Sequence, residues 1–150
     1  MEKYKKIALV AHDHKKDEML EWIDYNKELL CQHDLYATGT TGQLIAERLG
    51  MDVNCMLSGP LGGDVQLSSM ITNQELDMLI FFWDANTPMA HDVDVKALLR
   101  IAVLWNIPVA CNRASADFMI SSTLMEEDYE RIVRDYSAER KSEVKKWKTK

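Results

Sequence analysis

A chain of 150 residues, 47% hydrophobic and 28% charged, matches one ordinary domain able to bury a core of its own. Its formal charge of −6 argues against nucleic acid as the main partner, because phosphate backbones are held by basic surfaces. No apolar run is long enough to cross a bilayer, and the run after Lys3, Lys5 and Lys6 stops at His12-Asp13, too soon for a secretory leader.

In chain order, residues 7–11 read as a strand, and 15–30 as a helix with Met19, Trp22, Ile23 and Leu30 at helical spacing. A strand follows at 36–38, then a short helix over 43–49 that ends near Gly50. Residues 54–57 form a weak strand, and 65–71 a helix opening after Gly62-Gly63-Asp64. The run MLIFFW at 78–83 is apolar on both faces, as expected of a central parallel strand. Residues 95–105 place Val95, Leu98, Leu99, Ala102 and Trp105 on one side of a helix, with Asp92 or Asp94 as its N-cap. A last strand spans 108–111, and the remainder is helical and polar. The alternation predicts an α/β fold: a single doubly wound domain over residues 1–150, built on a five-stranded parallel sheet. Its end, 137–150, is a polar, lysine-rich tail; from position 138 onward, six basic residues stand against two acidic ones. Cys31, Cys55 and Cys111 are widely spaced and odd in number, which fits reduced core thiols and a cytoplasmic setting.

In open sheets of this kind, ligands bind beyond the carboxyl ends of the strands, near the switch in strand order. Every polar cluster in the chain falls there: His12-Asp13-His14, Thr38-Gly39-Thr40-Thr41-Gly42, Ser58 to Asp64, and Asp84 to Asp94. The Thr38 segment joins a strand to a helix, so its amides, hydroxyls and helix dipole suit a phosphate or carboxylate; the same residues also suit a plain N-cap. His12 and Lys16, four residues apart, face one phosphate if a helix starts near Asp13, or Lys16 is a solvated lysine. Asp64, after two glycines, is a candidate general base or a helix N-cap. His91, in the loop after the most apolar strand, either exchanges protons between two oxygens or braces the loop through an aspartate.

The segments IALVAHDHKK (7–16), LYATGTTG (35–42), MLSGPLGGD (56–64), LIFFWD (79–84), HDVDVKALLR (91–100) and WNIPVA (105–110) together resemble bacterial methylglyoxal synthases, from about Lys6 to Tyr136. The resemblance implies a cytoplasmic, cofactor-free and metal-free lyase that converts dihydroxyacetone phosphate into methylglyoxal and inorganic phosphate, a glycolytic bypass. It implies Asp64 as catalytic base and His91 as the group that polarises the substrate and moves protons between its oxygens. His12, Lys16, Thr38, Gly39, Thr40, Thr41, Ser58 and Gly59 are implied as phosphate contacts, with Asp13, Asp84 and Asp94 as orienting carboxylates. A homohexamer, with phosphate as product, inhibitor and allosteric ligand, is implied as well. The lysine-rich tail is longer than the family pattern.

Two other classes compete. A regulatory nucleotide-binding module of the same fold needs the cradle but not Asp64 and His91 together. A metal-dependent phosphohydrolase would draw on His12, Asp13, His14, His91, Asp92 and Asp94, an inventory that suits a divalent ion.

Overall fold

The structure, a computed structural model, describes residues 1–133 and 135–148. Five parallel strands, β1 (Lys6–Ala11), β2 (Asp34–Ala37), β3 (Asn54–Cys55), β4 (Met78–Phe82) and β5 (Val109–Ala110), form a sheet in the order β3-β2-β1-β4-β5. The chain therefore runs outward from β1 to one edge, then crosses to β4 on the other side of β1. Alternation along the strands sends side chains to both faces, each of which is covered. Ile7, Leu9, Met78, Ile80 and Phe82 pack with Met19, Trp22 and Ile23 of α1 (Lys16–Tyr25), Leu30 of α2 (Lys27–Leu30), Ile45 of α3 (Gly39–Leu49), and Ala116 and Ile120 of α6 (Arg113–Ile120). Ala8, Val10, Leu79 and Phe81 meet Leu67 and Ile71 of α4 (Gly63–Thr72) and Val95, Leu98 and Ala102 of α5 (Asp92–Leu104). A final helix, α7, spans Ser137–Lys148, while Thr149 and Lys150 of the basic tail lie outside the described residues.

Several boundaries depart from the sequence reading. The helix expected over 15–30 is a 3-10 turn (Asp13–Lys15), α1 and α2; the break falls at Asn26, whose side-chain amide donates to the Trp22 carbonyl at 2.9 Å. Helix α3 opens at Gly39 rather than Gln43, so Thr38 to Gly42 is its cap and first turn. Helix α4 opens at Gly63 behind Gly62, which takes φ +101°; Asp64 thus lies inside the first turn and is not the N-cap. Helix α5 opens at Asp92 behind His91, so neither Asp92 nor Asp94 caps it, and Asp92 instead accepts the Met89 N–H at 3.0 Å. Beyond β5 the chain is less helical than expected: only α6, a 3-10 turn (Thr123–Met125) and α7 are helical among the described residues. The cysteines are free thiols but not core residues: Cys31 and Cys55 are exposed and Cys111 is half-buried. Cys31 follows the end of α2 and Cys55 sits on the edge strand, places that an apolar sequence context does not reveal.

Candidate active site

The switch between β1 and β4 opens a crevice at the carboxyl ends of both strands. A cavity of about 350 Å³ fills it, lined by residues from four strand ends: His12, Asp13 and Lys16 after β1; Thr38, Thr40 and Thr41 after β2; Ser58, Gly59, Pro60 and Asp64 after β3; Met89, Ala90 and His91 after β4. Of the residues the sequence singled out, Gly39, Asp84 and Asp94, and His14 and Asp92 of the metal reading, are not in its wall. Gly39 supports the wall from behind: a β carbon there would lie 2.7 Å from the Ser58 nitrogen.

The polar groups are poised rather than satisfied. Among the described residues, five buried side-chain polar atoms have no hydrogen-bond partner, and four of them, His12 Nε2, Thr41 Oγ1, Asp64 Oδ2 and His91 Nδ1, belong to this cavity. Buried polar groups are normally paired because an unpaired one costs about 1–3 kcal/mol, so their concentration at one place marks a ligand site. Thr38 occupies the N-cap position of α3 but makes no side-chain capping bond, which removes the plain capping role left open for it. The N-terminus of α3, the positive end of its dipole, lies at the same cavity, with Thr38, Thr40 and Thr41 in the wall.

Lys16 is not a solvated lysine. Its side chain is only 15% exposed, and its ammonium donates to the Ala11 carbonyl at 3.3 Å and pairs with Asp13. That hydrogen bond holds the Asp13 carboxyl below its ordinary value. The arrangement leaves a cation at the cavity wall with a solvent-facing carboxylate on it.

His12 is fixed as a neutral donor. Its Nδ1 accepts the Asp84 N–H at 3.1 Å, so the ring proton resides on Nε2, a buried atom without a partner in a residue of the cavity wall. Burial, with His91 nearby, lowers its pKa and keeps it uncharged. Asp84 therefore serves the site through its backbone, while its carboxylate is turned to His14 Nδ1 at 3.0 Å and to the Asn86 N–H at 3.0 Å. The Thr87 hydroxyl, then the Asn86 N–H, hold that carboxyl down at about 2.

Asp64 is 1% exposed, and its Oδ2 stands 3.7 Å from His91 Nε2. Burial raises its pKa; His91 opposes the rise and Asp94 adds to it. Asp94 thus reaches the site as a charge, not as wall. The His12 and His91 rings meet edge to face with centroids 5.8 Å apart. Gly59 packs directly against the pair: a β carbon on it would fall 2.7 Å from His91 Nε2 and 3.2 Å from Asp64 Oδ2.

The metal-ligand inventory disperses on folding. His14 turns to Asp84, Asp13 to Lys16 and Asp92 to the Met89 amide, and no three His, Cys, Asp or Glu side chains among the described residues converge as a ligand set. The sequence reading missed Val10, Ala11, Pro60, Met89 and Ala90 as wall residues; their small or apolar character carries no chemical signal.

Cavity, topology and unpartnered polar atoms outline a polar ligand site on an α/β sheet, and comparison with known proteins is more specific. The MGS-like domain family matches residues 18–111. The chain is 58% identical over 134 residues to the methylglyoxal synthase of Saccharophagus degradans, covering 89% of this chain and 87% of that one. It is 54% identical over 132 residues to the methylglyoxal synthase of Yersinia pestis (strain Pestoides F), covering 88% and 86%. A crystal structure of methylglyoxal synthase from Elizabethkingia anophelis NUHP1 superposes with a TM-score of 0.89 at 50% identity, covering 94% of this chain and 93% of that one. This chain belongs to the methylglyoxal synthase family.

Proposed function

We propose that the chain is a lyase that converts dihydroxyacetone phosphate into methylglyoxal and inorganic phosphate, with Asp64 as the base. The observation that carries this is the convergence of four unpartnered polar atoms, from His12, Thr41, Asp64 and His91, in one cavity beside a half-buried lysine and a helix N-terminus.

In this reading the phosphate occupies the first turn of α3, with Lys16, Thr38, Thr40, Thr41, Ser58 and Gly59 around it. Asp64 removes a C3 proton, and burial, by raising its pKa, makes it a stronger base than a free aspartate. The electrons pass to the C2 oxygen as an enediolate. His12 Nε2–H and His91, both residues of the cavity wall, serve as donors to that oxygen. His91 then takes the proton of the C3 hydroxyl and returns one to the C2 oxygen. The C3 oxygen becomes an aldehyde, a C1–C2 double bond forms, and the C1–O bond to phosphate breaks. The enol so released becomes methylglyoxal by taking a proton at C1 and giving up the one on the C2 oxygen, and Asp64 releases its proton to solvent before the next turnover. Elimination requires the C1–O bond to stand across the enediolate plane, so the cradle's task is to hold the phosphate out of that plane. Lys16 and the helix dipole offset the charge of the departing group.

No metal enters the scheme, and none of its steps requires a cofactor. Asp13 and Lys16 pair where the phosphate arrives, so phosphate displaces the carboxylate and, as product, competes with substrate. A homohexamer in the cytoplasm fits the family resemblance and the three free thiols; light scattering on the purified chain tests the assembly. The primary test is methylglyoxal formation from dihydroxyacetone phosphate with chelator present. Turnover is expected; activity that appears only on adding a divalent ion would overturn the metal-free scheme, and none under any condition would overturn the function.

A further inference from the structure

Leu57 and Ser58 lie between the opening turns of α3 and α4. The Leu57 carbonyl accepts the Gly39 N–H at 3.0 Å, and the Ser58 carbonyl accepts the N–H groups of Leu61 and Gly63, both at 3.0 Å. The fit is close on both sides: a β carbon on Gly39 would lie 2.7 Å from the Ser58 nitrogen, and one on Gly63 would lie 2.0 Å from the Leu57 oxygen. One backbone group of this segment faces the other way. The Met56 N–H reaches back to Ala37 of β2 at 2.8 Å, so the next amide, that of Leu57, points off the open edge of the sheet. It does not find another strand; it donates to Gln66 Oε1 at 2.8 Å.

Gln66 sits on α4, two residues beyond Asp64, and its side chain is otherwise on the exposed side of that helix. Beside the backbone bond from the Gly63 N–H to the Ser58 carbonyl, this side-chain hydrogen bond is a second tie between the helix that carries the carboxylate and the segment that carries Ser58 and Gly59. We infer that Gln66 is a positioning residue of the reaction: its amide oxygen sets where Ser58 and Gly59 stand relative to Asp64 and His91. The tolerance is small, since Gly59 leaves no room for even a β carbon against His91 Nε2. Gln66 does not line the cavity and acts through that segment. The inference rests on the assignment of Ser58 and Gly59 to the phosphate contacts.

The test compares Gln66→Met, which keeps length and helix preference but loses the acceptor, with Gln66→Glu, which keeps an acceptor oxygen at the same reach. Inorganic phosphate binding is measured by calorimetry and turnover of dihydroxyacetone phosphate by methylglyoxal release, both near 0.15 M salt to damp the added charge. Gln66→Met is expected to weaken phosphate binding about fivefold and to lower kcat/KM about tenfold, while Gln66→Glu holds both within about twofold. Values for Gln66→Met within twofold of the parent chain would overturn the inference. So would a Gln66→Glu chain as impaired as Gln66→Met, because the hydrogen bond would then not be the cause. If the parent chain makes no methylglyoxal, yet only Gln66→Met loses phosphate affinity, the positioning role is upheld and the lyase assignment falls.

Discussion

Asp64 Oδ2 lies 3.7 Å from His91 Nε2, close enough for each charge to feel the other and too far for a hydrogen bond. The gap matters because a bonded pair would lock the carboxylate, whereas this one leaves Oδ2 free to take a proton from carbon. Burial lifts the Asp64 pKa above the 3.8 of an ordinary aspartate. Activity requires the ionised form, so kcat/KM should rise with pH along an acid limb whose midpoint lies above 3.8. A pH-rate profile checks this, and a limb at or below the free-aspartate value would contradict it.

Gly59 is the spacer of the pair. Gly59→Ala forces a methyl to within 2.7 Å of His91 Nε2, so the imidazole must move. Turnover should fall about 100-fold while the chain still binds inorganic phosphate, because a misplacement of the order of 1 Å has that effect on rate. Steady-state kinetics beside phosphate calorimetry separates the two.

Lys16→Ala removes a charge-assisted contact worth about 1.5–3 kcal/mol, so the inhibition constant for inorganic phosphate should rise roughly 10- to 100-fold. The circular dichroism spectrum should not change, since the ammonium is held by one carbonyl and a solvent-facing carboxylate. An unchanged inhibition constant would return Lys16 to a role outside the cradle.

Asp84 gives the fold an acid dependence. Its folded-state value of about 2 lies below the 3.8 of the unfolded chain, so its contribution to stability is complete above 3.8 and is lost as pH falls toward 2. The melting temperature should drop across that window, and Asp84→Asn should flatten the drop. Equal slopes for both chains would show that the Thr87 and Asn86 bonds do not depend on the charge.

Much of the site was legible because each polar cluster follows an apolar strand, and the end of a parallel strand is where such a fold binds ligands. Asp64 and His91 stood out by this rule, and the geometry gathers them. What the sequence could not show is direction. Asp84 looked like an orienting carboxylate; it turns its side chain to His14 and gives the site its backbone N–H instead. Gly39 looked like a phosphate contact; its missing side chain is what lets α3 close on Ser58. The early start of α3 was hidden because Gly39 and Gly42 are poor helix formers, a penalty that close packing against Ser58 and Cys55 overrides. The cysteines misled because residue type records a tendency to be buried, and strand order decides which strand is the edge.

The base assignment carries the whole account, and Asp64→Asn tests it most directly. The substitution keeps shape while removing the charge that burial disfavours. A group whose pKa is raised on folding loses its stabilising contribution as pH rises through that value, so the ionised Asp64 costs stability at neutral pH. The melting temperature of Asp64→Asn should accordingly rise, by about 2–4 °C if the gain is about 1 kcal/mol. The decisive measurement follows solvent exchange of the substrate's C3 proton and phosphate release together in this folded chain. Both should collapse by at least about 10²-fold. Phosphate release near the parent rate from a correctly folded Asp64→Asn would contradict the account and move the base to Asp13, the other carboxylate of the cavity wall.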